Sequence, residues 1–286
     1  MEIMRFRGDN PDAKHKADAI ALITENLTRI DTVLKYLEKL RPELEAEYTS
    51  ALSKRIQGDI VDFQIDYSEL ELDELKSKLL NLSSYSELQN LIILQTFFHL
   101  KLSKDFRVSS EEFEANLIDW IRSTNILKYN RVKAFVDILE REEGIQLWKD
   151  LLFLATDESL NSFEEEIHPP IKEITEGWIK AGQDKDSLAD LTIVKYDDYK
   201  VALRFDRCPV YESTKHLEDP EVAFLSWCGT GFPEEELNKR TRRKRTPQTL
   251  HDSDYCIEFY WNNEVHPDAE PPTSEFWTSI KKERGE

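Results

Sequence analysis

The chain has 286 residues, and its 38 basic and 57 acidic residues give a formal net charge of −19 at pH 7. A field of that sign repels phosphate backbones and anionic lipid headgroups, which argues against nucleic acid and membrane surfaces as partners. No stretch approaches the ~20 apolar residues of a membrane span, and the N-terminus lacks the apolar core of a signal peptide, so we expect a cytoplasmic protein.

The first 155 residues carry a helical pattern. Apolar residues recur at spacings of three and four between residues 20 and 40, and a denser apolar run covers residues 70–102. Ser109 and Glu112 have the spacing of a capping box, which predicts a helix that carries Phe113 in its first turn. A further helix is predicted over residues 129–154, with an interruption at Gly144. We therefore predict an all-helical domain over residues 1–155.

The pattern changes after residue 155. Pro169 and Pro170 introduce a predicted helix that ends at Gly182. Residues 191–196 and 200–205 are short β-branched or aromatic runs joined by a polar turn, which predicts a hairpin, and residues 255–261 form a third candidate strand. The tail after about residue 262 is rich in proline and charge and is predicted to be irregular. The predicted fold class is therefore α+β, with a smaller α+β domain over residues 156–286 that contains a few-stranded antiparallel sheet.

All three cysteines, Cys208, Cys228 and Cys256, follow residue 200, and no two of them form a CxxC pair. This spacing argues against a disulfide framework and favours free thiols. A thiolate is a strong nucleophile, and Cys208 is well placed to be one because Pro209 is expected to begin a helix directly after a strand. The three thiols are predicted to meet at one pocket.

Two other interpretations of the cysteines stay open. Free cysteines are often buried as small apolar residues, in which case they carry no chemistry. Three cysteines and one histidine could also bind zinc, although these spacings lack the paired loops of structural zinc sites. The candidate histidines for such a site are His216, His251 and His266.

Candidate acids and bases surround the third cysteine. An imidazole titrates near neutral pH and can carry protons in catalysis, which makes His251 a candidate, although it also belongs to an ordinary polar turn with Asp252 and Asp254. Glu258 lies two residues after Cys256, so the two side chains share one face of the predicted strand. The basic run at residues 239–245 (KRTRRKR) could hold a carboxylate, although such runs are usually solvated loops.

Residues 200–261 carry an ordered set of motifs. A predicted strand runs into a Cys-Pro pair, a second cysteine follows after about twenty residues, an asparagine and a basic segment come next, and a Thr-Leu turn leads to a third cysteine on an aromatic strand. The residues that carry this order are Cys208-Pro209, Cys228, Asn238, Thr249-Leu250 and Cys256 with Phe259. In this order and spacing the segment resembles the family of L-2-amino-thiazoline-4-carboxylic acid hydrolases.

The resemblance implies an enzyme that opens the ring of a cyclic amidine-like thiazoline and gives N-carbamoyl-cysteine, a hydrolase of cyclic C–N bonds. Such chemistry needs a small-molecule substrate but no cofactor and no metal ion. It implies a nucleophilic thiolate, a proton carrier and a cation for the substrate carboxylate. The implied catalytic residues are Cys208 with Cys228 or Cys256 in support, and His251 or Glu258 as proton carrier. The implied substrate-binding residues are Asn238, Arg243, Arg245 and Thr249.

Two alternatives to ring hydrolysis remain. The same site could close or rearrange a heterocycle in a natural-product pathway, because the bonds involved are the same. A non-catalytic interaction module would instead have buried, inert thiols and an exposed apolar patch. The helical domain lies beyond the resemblance, and it could cover the site, contact a carrier domain or mediate homo-oligomer formation.

Overall fold

The structure is a computed structural model that describes residues 1–8, 10, 12–103, 105–161, 170–231, 233 and 242–282. The fold is α+β, as predicted. The chain divides into two compact units. We call them the sheet unit, which comprises Met1–Asn10, Ser159–Cys208 and Gly231–Glu286, and the helical unit, which comprises Pro11–Glu158 and Pro209–Thr230. The first ten residues belong to the sheet unit and residues 209–230 to the helical unit, so neither unit is one continuous segment.

The strands form two sheets. The strands are β1 (Glu2–Phe6), β2 (Lys14–Ala17), β3 (Phe113–Asn116), β4 (Asp190–Asp197), β5 (Lys200–Arg207), β6 (Arg242–Gln248) and β7 (Cys256–Asn262). The sheet unit contains a five-stranded antiparallel sheet in the order β1-β4-β5-β7-β6, and β2 pairs with β3 in the helical unit. The predicted hairpin and the predicted strand at residues 255–261 are confirmed as β4, β5 and β7.

The helices follow the apolar periodicity of the sequence. They are α1 (Ala19–Leu40), α2 (Glu45–Asp59), α3 (Asp73–Ser77), α4 (Ser86–His99), α5 (Leu117–Ile138), α6 (Arg141–Asn161), α7 (Ile171–Gln183), α8 (Pro209–Thr214), α9 (Pro220–Ser226) and α10 (Ser274–Lys282), with short 3-10 helices at Pro42–Leu44 and Cys228–Gly231. No helix within the described ranges combines the length and the apolar character needed to cross a bilayer.

Three short strands correct the expectation that residues 1–155 are all helical. Strand β1 exists because it pairs with β4, almost two hundred positions away in the chain, and β2 exists because it pairs with β3 about one hundred positions away. Strand propensity depends strongly on such pairing, which a local pattern does not report.

The predicted capping box at Ser109 and Glu112 does not begin a helix. Residues 113–116 pair with β2 instead, and α5 begins at Leu117. The N-cap is Asn116, whose side-chain oxygen accepts a hydrogen bond from the backbone N–H of Ile118 at 3.1 Å. An asparagine in that position satisfies one of the unpaired N–H groups of the first turn.

The predicted interruption of the helix at Gly144 lies a few residues earlier, between α5 and α6. Gly144 sits in the first turn of α6, where an added Cβ would lie 2.9 Å from the backbone carbonyl of Phe135. The absence of a side chain therefore allows the start of α6 to approach the end of α5 closely.

The five-stranded sheet packs a helix on each face. On one face, Ile171 and Trp178 of α7 contact an apolar cluster that includes Leu203 and Tyr260. On the other face, Trp277 and Ile280 of α10 contact a second apolar cluster, which includes Phe259. The alternation of side chains along the strands thus divides the sheet residues between two small cores.

Helix α10 corrects the prediction of an irregular tail after residue 262. Trp277 is only 1% exposed, and the backbone carbonyl of Ile280 accepts a hydrogen bond from the Arg5 guanidinium at 2.9 Å. The helix has only nine residues, fewer than the roughly 11–18 over which a helical period is recognised, although its apolar side chains share one face. Contact with the sheet stabilises it, since short helices in water depend on packing rather than propensity.

We predict that Trp277→Ala will lower the free energy of unfolding by about 3–5 kcal/mol, because it removes a large buried side chain and leaves a cavity. Urea denaturation followed by circular dichroism measures the change. Thr278→Ala alters the next, exposed position of the same helix and should leave the unfolding midpoint almost unchanged. Equal stability of Trp277→Ala and the wild type would contradict the packing described for α10.

Candidate functional site

Two of the predicted thiols lie at one end of the five-stranded sheet. Strand β5 ends at Arg207, and the neighbouring strand β7 begins at Cys256, which is paired with Phe205. Cys208 follows the end of β5, so both cysteines lie at the same end of adjacent strands, and both are half-buried against the apolar cluster under α7. We call this region, with the turn at residues 249–252, the thiol end of the sheet.

The turn that joins β6 to β7 brings Thr249 and His251 to the thiol end. The backbone N–H and the hydroxyl of Thr249 both donate to the Asp252 carboxylate, at 3.1 and 3.2 Å, and the backbone N–H of His251 donates to the Thr249 hydroxyl oxygen at 3.3 Å. Partial burial lowers the pKa of the His251 imidazole. Thr249 therefore holds the turn in shape, and His251 presents a neutral imidazole at pH 7 that can accept a proton.

Glu258 lies on the same face of β7 as Cys256. The Tyr260 hydroxyl donates a hydrogen bond of 2.5 Å to Oε2 of Glu258. Cys256 and Tyr260 both contact the cluster under α7, whereas Ile257 and Phe259 contact the opposite cluster. A thiol, a carboxylate and a phenol thus follow one another along one face of the strand.

The remaining predicted site residues are placed differently. Cys228 belongs to the helical unit, at the start of a 3-10 helix. Arg243 pairs with Trp261 and Arg245 with Phe259, so Arg243 lies five positions along β7 from Cys256, toward the other end of the sheet. That register argues against Arg243 as the anchor for a substrate at the thiol end. The side chains of Arg243 and Arg245 lie outside the described part of the chain, and so does Asn238.

A cation that the sequence interpretation missed lies next to Cys208. The guanidinium of Arg207 donates a hydrogen bond of 3.3 Å to the backbone carbonyl of Gly8, which holds it at the thiol end. The backbone N–H of Gly8 donates in turn to the Asp190 carboxylate at 3.1 Å. The sequence signal for this residue was only its position beside the Cys-Pro pair.

The histidines considered for a zinc site have other surroundings. Nε2 of His266 lies 2.8 Å from the Asp197 carboxylate, and His216 belongs to the helical unit. Within the described ranges, no group of three or more His, Cys, Asp or Glu residues could hold a metal ion.

The helical unit contains buried cations that the sequence interpretation did not single out. Lys128 of α5 is 2% exposed, and its Nζ lies 3.3 Å from Oδ1 of Asn125 and 3.4 Å from the centre of the Trp227 ring. Asn125 also donates a hydrogen bond of 2.9 Å to the Ser213 hydroxyl. Burial, followed by the charge of Arg29, lowers the pKa of Lys128 to about 6. An amine of this kind is largely uncharged at neutral pH.

Arg131 lies one turn after Lys128 on α5. Its side chain is buried, and the guanidinium carbon lies 4.7 Å from the centre of the Trp148 ring. Burial, followed by the charge of Arg29, lowers the pKa of Arg131 to about 10. Within the described ranges, Arg131 forms no ion pair, and its Nε has no hydrogen-bond partner. No pattern in the sequence indicates that Arg131 is buried, since a basic residue on an amphipathic helix normally faces solvent.

A second polar region of the helical unit surrounds His99. Together with Arg122 and His216, this histidine lines a cavity of about 610 Å³. Burial lowers the pKa of His99 to about 4, and its Nε2 has no hydrogen-bond partner within the described ranges. Asp119 pairs with Arg122 at 3.0 Å and with Lys101 at 2.9 Å, which balances part of the positive charge.

Among known proteins, no family model matches this chain, and neither a curated protein nor a solved structure does. The chemistry of the sites therefore has to be inferred from their own residues. The thiol end offers two sulfur atoms, a carboxylate, an imidazole and a guanidinium. The helical unit offers a buried amine and a buried guanidinium, each beside an aromatic ring.

We predict that Lys128→Met will stabilise the protein at pH 7 and flatten the dependence of its stability on pH. Since the pKa of Lys128 falls from 10.5 to about 6 on folding, the unfolded chain holds one more proton between these pH values, and the free energy of unfolding rises with pH across that window. The upper limit for one proton is about 1.4 kcal/mol per pH unit.

Urea denaturation at pH 7, 8 and 9 measures this effect. The control is Lys54→Met, which neutralises an exposed lysine on α2 and should keep the pH dependence of the wild type. A Lys128→Met variant that is less stable than the wild type at pH 7, with an unchanged slope, would show that the buried amine is charged in the folded protein.

Proposed function

We propose that this protein is a cysteine-dependent hydrolase that opens the ring of a small heterocyclic, thiazoline-type carboxylic acid. The observation that carries the proposal is the arrangement of Cys208, Cys256 and Glu258, which lie at one end or along one face of two paired strands. Covalent catalysis at an amidine-like carbon requires a nucleophile, such as a thiol, and a nearby acid or base. The resemblance of residues 200–261 to thiazoline-carboxylate hydrolases points to the same chemistry.

The nucleophile in this proposal is Cys208. It stands at the exit of β5, is half-buried rather than fully buried, and precedes Pro209, the first residue of α8. The neighbouring guanidinium of Arg207 favours a thiolate and offers two parallel N–H groups to a substrate carboxylate. Arg207 thus takes the anchoring role expected of Arg243, and Arg245 keeps that role as a second candidate.

The reaction has two balanced steps. In the first, His251 or Glu258 accepts the proton of the Cys208 thiol, the thiolate adds to the ring carbon between nitrogen and sulfur, the ring C–S bond breaks, and the leaving sulfur takes that proton. In the second, the same residue removes a proton from water as the water adds to that carbon, the other water proton passes to the former ring nitrogen, and the Cys208 sulfur leaves and recovers its proton. The net change is the addition of one water molecule and the appearance of a free thiol in an N-carbamoyl product.

His251 and Glu258 suit the two proton transfers for different reasons. The neutral imidazole of His251 can accept a proton from water at pH 7, because burial disfavours its charged form. Glu258 holds the Tyr260 hydroxyl at 2.5 Å, a short hydrogen bond that connects a donor to the carboxylate. The same groups would also serve ring closure, in which a thiol is consumed and water is lost.

The proposal places the protein in a reducing cytoplasm, where its cysteines stay as thiols. The small-molecule substrate is its partner at the thiol end. For the helical unit, we propose contact with a second copy of the chain or with a carrier domain that delivers the substrate.

We predict that Cys208→Ser will reduce turnover of 2-amino-thiazoline-4-carboxylate on the order of 10³-fold or more without unfolding the protein. Released thiol, titrated with a chromogenic disulfide, measures ring opening, and loss of thiol from N-carbamoyl-cysteine would reveal ring closure instead. Cys256→Ser serves as the matched variant, and a larger loss there than in Cys208→Ser would transfer the role of nucleophile to Cys256.

Alkylation of the native protein provides a second measurement. Iodoacetamide at pH 7 should modify Cys208 selectively, because a thiolate is present well below the usual ionisation range of a thiol. Peptide mass spectrometry identifies the labelled cysteine. Full activity of Cys208→Ser, together with uniformly slow labelling of all three cysteines, would refute the proposal and favour structural thiols.

A further inference from the structure

Helices α1, α5 and α6 of the helical unit line a partly open cavity of about 220 Å³. Its apolar wall includes Val33, Leu151 and Leu152, and the ring of Trp148 continues that wall. The guanidinium of Arg131 also lines the cavity and lies 4.7 Å from the centre of the Trp148 ring. The cavity therefore combines a mostly apolar wall with two arginines, of which Arg29 is paired with Glu25 and Arg131 is buried.

The charge of Arg131 has no counter-ion within the described ranges. Arg131 is 7% exposed, and its Nε has no hydrogen-bond partner. Burial of an unpaired charge is costly, and proteins normally place a carboxylate beside it. This chain has 57 acidic residues, yet none of those described pairs with Arg131.

The carboxylates beside the cavity are already paired with other cations. Glu25 accepts two hydrogen bonds from Arg29, of which the shorter is 2.6 Å. Glu158 accepts hydrogen bonds from Lys35 at 3.1 Å, from Lys39 and from the Tyr36 hydroxyl at 3.2 Å. The local balance is positive, because Arg29, Lys35, Lys39 and Arg131 outnumber these two carboxylates.

We propose that this cavity binds a small carboxylate with an apolar body, whose carboxylate pairs with Arg131 and whose body lies against Trp148 and the leucines. The planar guanidinium suits a carboxylate because it can donate two parallel hydrogen bonds. A phosphate would meet two arginines and two threonine hydroxyls, but Arg29 already pairs with Glu25, and the apolar wall would be left without contact.

The volume sets the size of the ligand. Cavities for drug-sized ligands occupy about 300–1,000 Å³, so this cavity takes something smaller. At about 30 Å³ for a water molecule in the liquid, 220 Å³ corresponds to roughly seven such molecules, which matches the size of benzoate or hexanoate. This site uses no residue of the thiol end, so its test is independent of the proposed hydrolase activity.

Isothermal titration calorimetry with benzoate and hexanoate tests the proposal on the full chain. Both should bind, whereas benzamide and hexanamide, which have the same shape without the charge, should bind about ten-fold more weakly or worse. Acetate tests the need for an apolar body, and inorganic phosphate tests the preference for a carboxylate. Phosphate binding as strong as that of benzoate, or no binding of either carboxylate, would overturn the proposal.

Arg131→Met separates a ligand site from a structural arginine. The variant should bind benzoate about 30-fold more weakly or worse, and without ligand it should melt at the same or a higher temperature, because an apolar side chain replaces an unpaired charge. The matched control is Arg55→Met, which removes a guanidinium paired with Asp137 elsewhere in the helical unit and should leave benzoate binding unchanged. Lower thermal stability of Arg131→Met with unchanged binding would assign Arg131 a purely structural role.

A second variant locates the ligand. Ala155→Phe fills the cavity from α6 and leaves Arg131 in place. It should abolish benzoate binding while the protein remains folded by circular dichroism. Wild-type affinity in Ala155→Phe would show that the ligand lies elsewhere and would overturn the proposal even if Arg131→Met proved insoluble.

Discussion

The burial of helix α5 on all sides is the constraint on which the helical unit depends. Residues 123–132 are all buried, and a run of that length covers every face of a helix. Polar side chains on such a helix need partners inside the protein: Asn125 bonds to Ser213 at 2.9 Å and Asn130 to Asp59 at 2.6 Å. Arg131 shares the burial without a counter-ion in the described part of the chain, so the same constraint that organises the unit also creates its anion site.

Much of the fold followed from local patterns. The hairpin of β4 and β5, strand β7, and the helix ending near Gly182 were predictable because alternation or helical spacing identified them directly. Strands β1 and β3 were not, since their pairing partners lie about a hundred residues or more away. The Ser109 and Glu112 pattern failed for the same reason: pairing of residues 113–116 outweighed a plausible local cap.

The candidate sites, like the fold, were predictable only in part from the sequence. The registers of β5 with β7 and of β6 with β7 bring Cys208, Cys256 and the turn at Thr249 to one end of the sheet. The meeting of all three thiols at one pocket stays a prediction, and Cys228 belongs to the helical unit. Arg243 was assigned an anchoring role because it is basic. Its position along the sheet depends on the register of β6 with β7, which cannot be inferred from composition. Arg131 was not predicted as a site residue, because it is unusual only in being charged and buried, and burial is known only from the structure.

Strand β1 makes the order of synthesis matter for this protein. It is translated before its partner β4, which emerges only after about 180 further residues, among them most of the helical unit. At roughly 5–20 residues per second, β1 remains an unpaired strand for about ten to forty seconds on the ribosome. Residues 11–158 of the helical unit can begin to fold during that interval, whereas the sheet cannot form until β4 and the strands that follow it have emerged. A change in β1 would therefore act on a late step of assembly.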